Sequence, residues 1–142
     1  MKKIGEYVVR GVVKHNETNR IQLFDGRFDT GFRIKEIHTI PATFDGTADG
    51  SIIAHTEETI QPLPDFSDNT QVAWASYSYD VNYGTSAESS LVDPENMIVE
   101  DIYISAFSNN SLRSMNYMLI MEKFDITEWQ GALQIVRNSS QG

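Results

Sequence analysis

Three acidic side chains are the first candidates for chemistry in this sequence. Glu100 and Asp101 are adjacent in "MIVEDIYIS", and Glu122 follows in "MLIMEKF". Glycoside hydrolysis requires two carboxylates that flank one bond. Neighbouring residues of a strand point to opposite faces, so Glu100 and Asp101 do not converge on one substrate. We therefore expect them to be solvated or paired with Arg or Lys, and a convergent carboxylate site that includes Glu122 is the alternative.

Candidate metal ligands are scattered along the chain. His15, His38 and His55 lie in separate segments without the HxH or HExxH spacing of zinc sites. The stretches 24–31 ("FDGRFDTG") and 44–51 ("FDGTADGS") offer carboxylate oxygens that suit calcium, but neither matches the EF-hand loop. Cysteine is absent, which excludes thiolate ligands. The sequence therefore predicts turns at these stretches, with no metal and no cofactor.

Sequence motifs for common enzyme classes are missing as well. The chain contains no G-x-S-x-G, no S-x-x-K, no phosphate-binding loop and no G-x-G-x-x-G. Its net charge of −9 at pH 7 disfavours nucleic acid and anionic lipid as partners. No run of about 18 apolar residues predicts a membrane span, and the opening "MKKIGEYVVRGVV" does not predict a secretory signal peptide. We expect a protein that is not an enzyme.

Aromatic residues are concentrated in "QVAWASYSYDVNYG", which contains Trp74, Tyr77, Tyr79 and Tyr83. Exposed aromatic rings would form a platform for sugar rings or an interface hot spot, and buried rings would belong to the core. Because side chains alternate along a strand, Tyr77 and Tyr79 share one face and Trp74 takes the other. We expect some of these rings to lie in the core and the others at its rim. A platform for sugar rings is the alternative.

These residues are positioned by strands. Alternating segments separated by Gly, Asn, Asp and Pro predict six or seven strands in a single domain over 1–142. The pattern indicates a mainly β protein, an antiparallel β-sandwich or jelly roll. The stretch 80–96 is predicted to be the longest loop, a candidate for contact with a partner.

One α-helix is predicted at the C-terminus, at about 126–137. Asp125 suits the N-cap position, and Glu128 completes a capping box. Apolar residues then recur at spacings of three and four and form one stripe. The stripe consists of Ile126, Trp129, Leu133 and Val136.

The segments 97–107 and 115–124 are apolar on both faces and are predicted to pair as a hairpin. An opposing sheet covers one face, and a helix of about 12 residues, about 18 Å long, covers only part of the other. The apolar strand surface that remains uncovered predicts contact with a neighbouring subunit. The expected interface residues are Met115, Tyr117, Met118, Met121, Trp129, Leu133 and Val136.

The segments "NMIVEDIYISAF", "NYMLIMEKFDITEWQGALQIVRNSSQ" and "DNTQVAWASY" resemble small virion proteins of tailed phages, particularly marine ones. The resemblance implies a structural role, such as a capsid decoration or cement protein, and no catalytic residues. It implies a location in the virion after assembly in the host cytoplasm. The implied partners are the major capsid protein and copies of the chain itself, with a trimer among the candidate oligomers. A carbohydrate- or receptor-binding module of the tail or fibre is the alternative function.

Overall fold

A computed structural model describes residues 2–23, 29–43, 47–61, 63–80, 82, 85–93, 95–110 and 113–126. Over these residues the protein is mainly β, and its strands pair antiparallel. The strands are β1 (Lys2–Lys14), β2 (Glu17–Ile21), β3 (Thr30–Pro41), β4 (Ala48–His55), β5 (Gln71–Asp80), β6 (Thr85–Val92), β7 (Ile102–Ser108) and β8 (Ser114–Asp125).

The strands form two sheets. The three-stranded sheet has the order β1-β8-β3, and the five-stranded sheet has the order β2-β7-β4-β5-β6. One cluster of buried side chains takes members from both sheets, for example Leu119 from β8 and Ile104 from β7. The two sheets therefore pack against each other around a shared core, an arrangement consistent with a β-sandwich.

β8 is the central strand of the three-stranded sheet, and its two faces differ in burial. The inward side chains of Met115, Leu119 and Met121 are fully buried in the core. The outward side chains of Met118 and Ile120 are half-buried. Both faces of β8 are therefore apolar, but the inward face is fully covered and the outward face is only partly covered.

The predicted hairpin of 97–107 with 115–124 is wrong. β7 lies between β2 and β4 in the five-stranded sheet, and β8 lies between β1 and β3 in the other sheet. In the polar connection between them, the Arg113 N–H donates to the Asn110 carbonyl oxygen at 3.0 Å. A short polar connection can join two strands of one sheet or carry the chain between sheets, and loop length does not distinguish the two.

The stretch 80–96 contains a strand, which corrects its prediction as a loop. β6 pairs with β5 from Thr85 opposite Asp80 to Val92 opposite Ala73. Ser, Ala and Glu dominate β6, and they have weak β propensity, so the pattern gave no strand signal. Backbone hydrogen bonds to β5 supply the strand conformation, and the side chains from 87 to 91 are exposed.

A bulge in β3 changes which side chains face the core. The pairing with β8 shifts between Ile34 and Glu36, which leaves Lys35 without an opposite residue. Because one extra residue reverses the alternation, Phe32 and Ile34 are buried while Ile40 lies on the outer side, 48% exposed. Simple alternation without a bulge would place these three side chains on one face.

The helix predicted at about 126–137 starts at the last described residue, and the rest of it lies outside the described residues. Ile126 itself is fully buried and packs with Met97 and Phe124. Its N–H donates to the Asp29 carbonyl oxygen at 2.8 Å. Within the described part of the chain, no helix is long and apolar enough to cross a membrane.

Candidate functional site

The outer surface of the three-stranded sheet is the first candidate site, and we call it the open face. Cross-strand pairing builds it in rows: Val12 and Ile40 flank Asn116, and Arg10 and His38 flank Met118. Apolar side chains are unusually accessible here, since Val8 is 59% and Val12 54% exposed. The open face consists of Val8, Arg10, Val12, Glu36, His38, Ile40, Asn116, Met118 and Ile120.

A groove of about 570 Å³ runs over the open face. Side chains from all three strands line it, together with Glu88 of the other sheet. Exposed apolar patches of this kind on a soluble protein mark contact surfaces more often than isolated surface hydrophobics do.

Charge is distributed unequally between the two edges of the open face. On the β3 edge, His38 Nδ1 lies 2.9 Å from Glu88 Oε1, and His38 Nε2 lies 3.5 Å from Glu36 Oε1. On the β1 edge, Arg10 is exposed beside Met118. Around Met118 the face therefore has an apolar centre with two carboxylates on the β3 side and a guanidinium on the β1 side. Farther along β1 the sign changes, since Glu6 forms ion pairs with Lys3 and Lys35.

The expected interface residues occupy different places in the structure. Met115, Tyr117 and Met121 point into the chain's own core, with exposures of 0%, 8% and 0%. Met118 points outward onto the open face. Trp129, Leu133 and Val136 lie outside the described residues. Of this set, Met118 is the described side chain that a neighbour can reach, and Val8, Val12 and Ile40 are the outward residues that sequence reasoning missed.

The three acidic candidates do not meet in one place. Asp101 accepts hydrogen bonds from the Arg20 guanidinium and from the Leu23 N–H at 3.0 Å, which confirms the expected pairing with Arg. Glu100 and Asp101 line one small cavity of about 200 Å³. Glu122 lies in the other sheet and forms an ion pair with Lys3 at 2.8 Å.

The three histidines also lie apart. His15 Nδ1 accepts from the Ser108 N–H at 2.9 Å, His38 lies on the open face, and His55 is fully buried. Among the described residues, no group of three or more His, Cys, Asp and Glu side chains could hold a metal ion. Asp29 and Asp49 are the described members of the two acidic stretches, and Asp25 and Asp45 lie outside the described residues.

The aromatic residues of β5 do not form one platform. Tyr77 is buried on the inner face, and Trp74 lies on the outer face opposite Ile53 and Leu91, which confirms the predicted division. Trp74 packs instead against Phe66, with ring centroids 4.7 Å apart at 78°. Tyr83 lies outside the described residues.

The connection between β4 and β5 crosses the outer face of the five-stranded sheet, and we call its described residues, 56–61 and 63–70, the strap. The strap is held by Gln71, which is nearly fully buried. The side-chain amide of Gln71 donates to the Leu63 carbonyl oxygen at 3.1 Å, and its oxygen accepts from the Asp65 N–H at 2.8 Å. The same oxygen accepts from Trp74 Nε1 at 2.8 Å.

A second anchor of the strap is a buried polar network under it. The Gln61 N–H donates to Ser105 Oγ at 3.1 Å, and Ser105 Oγ also contacts His55 Nε2 at 2.6 Å and Thr18 Oγ1 at 3.0 Å. Burial lowers the pKa of His55 from 6.5 to about 4, because a charged imidazole would lose its hydration there. Ser105 and His55 are both fully buried, and their contact joins β7 to β4 beneath the strap.

No protein-family model matches the chain, and no curated protein matches it.

Proposed function

We propose that this chain is a non-enzymatic structural subunit of a virus particle, a capsid decoration or cement protein that works through its open face. The observation that carries the proposal is a set of exposed apolar side chains on neighbouring strands of the open face. Val8, Val12 and Ile40 surround the half-buried Met118 and Ile120 there. Contact with a neighbour would remove this apolar surface from water, which is favourable by about 25 cal/mol per Å² before the costs of association.

The strand order supports a jelly-roll assignment. In a jelly roll, eight strands form two sheets connected as Greek keys, and the form recurs in viral capsid and lectin domains. The orders β1-β8-β3 and β2-β7-β4-β5 follow this connection pattern. β6 pairs with β5 and also packs near β3, where a jelly roll places its remaining strand. Fold alone does not assign function, so this is support for the proposal and not its foundation.

A second copy of the chain is the partner that the open face fits best. A twofold axis parallel to β8 would lay β1 of one copy over β3 of the other. Val12 of each copy would then face Ile40 of the other. Arg10 would approach Glu36 and Glu88 of the other copy, so charges of opposite sign would meet at this point.

The oligomeric state in solution tests this contact. We expect light scattering coupled to gel filtration to give a mass above the 16.1 kDa of one chain, with dissociation on dilution. The double variant Val12→Ser/Ile40→Ser should shift the protein to the monomer, because it removes the apolar contacts on both edges. Leu63→Ser/Leu91→Ser is the matched control, since it removes two exposed apolar side chains away from the open face, one from the strap and one from β6. A wild-type chain that stays monomeric at high concentration would refute the contact.

The role in the particle has its own test. Crosslinking and mass spectrometry of purified particles that carry this chain should detect links between two copies and links to the major capsid protein. An absence of links to the major capsid protein, or links only to proteins inside the capsid, would contradict a decoration or cement role. A carbohydrate- or receptor-binding module is the second candidate function. A pocket on the outer surface of the five-stranded sheet favours it.

A further inference from the structure

The outer surface of the five-stranded sheet carries a floor of small hydroxyl side chains beside the strap. Pairing across four strands aligns Phe107, Ser51, Ser76 and Ser89 in one row. The next row begins with Asp49 and Ser78. Ser76, Ser78 and Ser89 are exposed to solvent. Small residues in the middle of a sheet with larger ones at its margins create a depression, and we call it the trough.

The trough has the size of a ligand site. Its main part has a volume of about 630 Å³, and a neighbouring part of about 210 Å³ reaches Phe66 and Trp74. The two parts share Ser51, Ser76 and Ser89, so they form one continuous surface. Pockets that bind small molecules have volumes of about 300–1,000 Å³.

An aromatic wall closes the trough at the strap. The Phe66 ring is 71% exposed and meets the Trp74 ring edge to face. Gln71 fixes the Trp74 indole through the bond to Nε1, and it fixes the strap next to Phe66 through the bond to the Asp65 N–H. The apolar surface of Phe66 is therefore exposed to solvent on a rigid support.

Hydrogen-bonding groups close the opposite end. Asn109 Oδ1 accepts from the Asp49 N–H at 3.0 Å, which orients the Asn109 amide so that its NH₂ group is the remaining donor. The Asp49 side chain is exposed at the same end. Glu88 also lines the trough, but its carboxylate contacts His38 Nδ1 at 2.9 Å. Asp49 is thus the carboxylate that a ligand in the trough would meet.

This combination matches the chemistry of a sugar chain. Pyranose rings offer an apolar face that packs on aromatic rings and a rim of hydroxyls that both donate and accept hydrogen bonds. The serine hydroxyls also donate and accept, the Asn109 amide donates, and the Asp49 carboxylate accepts. A single carboxylate and a net charge of −9 disfavour anionic ligands. We propose that the trough binds a short neutral oligosaccharide, with one sugar ring on Phe66 and the next ones over the serine floor.

A glycan array and calorimetry test this site. The probes are arrayed neutral oligosaccharides from glucans, mannans, galactans and chitin, and the best binder is then titrated against the full chain. We expect binding to at least one class. Phe66→Ala should weaken it roughly three- to tenfold through loss of the stacking surface. Ser76→Val should weaken it by about tenfold, since it replaces a hydroxyl by methyl groups in the floor while suiting a strand.

Two control variants show whether the sugar binds in the trough. Leu63→Ala removes an equally exposed apolar side chain of the strap that does not line the trough, and it should leave the affinity unchanged. Val12→Ser/Ile40→Ser should also leave it unchanged, so sugar binding and self-association can fail independently. Binding to none of the arrayed sugars would overturn the proposal, and so would binding that survives both Phe66→Ala and Ser76→Val.

Discussion

Ile53 and Ile120 lie on the outer faces of the two sheets, in the middle of their strands, yet Ile53 is 1% exposed and Ile120 is half-buried. The strap accounts for the difference, because it crosses the five-stranded sheet and is anchored to Ser105, the residue paired with Ile53. On the open face, the side chains flanking Ile120 are Val8 and Glu36, and Val8 is largely exposed. An apolar outer face therefore does not by itself indicate whether the chain or a partner covers it.

The largest expected effect comes from truncating these two isoleucines. Ile53→Ala should lower the free energy of unfolding by about 3–4 kcal/mol, because it leaves a cavity beneath the strap. Ile120→Ala should cost about 1 kcal/mol in the dilute monomer, since its side chain is already partly in water. Urea unfolding of both variants at low protein concentration measures the difference. Equal costs would mean that the open face is as well covered as the other one.

A buried histidine distinguishes the covered face in a second way. The burial-lowered pKa of His55, about 4, lies below its unfolded value of 6.5, so between these values the unfolded chain binds the extra proton. Stability from the neutral His55 is therefore complete above pH 6.5 and is lost as the pH falls to 4. The loss should be on the order of 3 kcal/mol relative to His55→Gln, which keeps a donor toward Ser105 but does not titrate.

Urea unfolding of the wild type and His55→Gln at pH 7, 6, 5 and 4 checks this expectation. Using the difference between the two proteins cancels the titration of the many carboxylates that they share. A difference that stays constant across the range would show that His55 is accessible to protons in the folded state.

Sequence patterns were sufficient for the parts of the fold that depend on local alternation. The segments that became β3, β5, β7 and β8 were recognisable from their β-branched and aromatic residues, and with them the mainly β antiparallel class. The faces of Trp74 and Tyr77 also followed from the period of two. These properties depend on a residue and its near neighbours alone.

The properties that failed depend on distant partners. Nothing local in β6 marks its serines as a strand, since β5 provides its hydrogen bonds. The bulge at Lys35 switches which residues of β3 face outward, and no Gly or Pro at that position indicates it in the sequence. In the sequence, nothing distinguishes Gln71 and Ser105 from other polar strand residues, although together they anchor the strap. Their role requires the strap to be in place, which no short window of sequence contains.

The anchoring amides of the two faces can be compared directly. Gln71→Met should cost about 3 kcal/mol, because Trp74 Nε1–H, the Asp65 N–H and the Leu63 carbonyl all lose a buried partner. Asn116→Leu on the open face should cost about 1 kcal/mol or less, since its side chain donates one bond of 3.3 Å to the Pro41 carbonyl. Thermal unfolding measures both costs, and similar values would remove the distinction between an anchored and an unanchored outer face.

The smallest effect concerns a feature that both sheets share on their inner faces. A tyrosine ring lies across a glycine of the neighbouring strand, Tyr77 over Gly50 and Tyr117 over Gly11. A Cβ added at Gly50 would lie 2.5 Å from the Tyr77 ring, so Gly50→Ala must displace a buried aromatic side chain, at about 2 kcal/mol. Gly5→Ala is the control, because its Cβ would meet Tyr7 at 3.3 Å and that ring is half exposed. Denaturant unfolding should rank Gly50→Ala well below Gly5→Ala in stability, since the buried Tyr77 ring has no room to move aside and the half-exposed Tyr7 ring does.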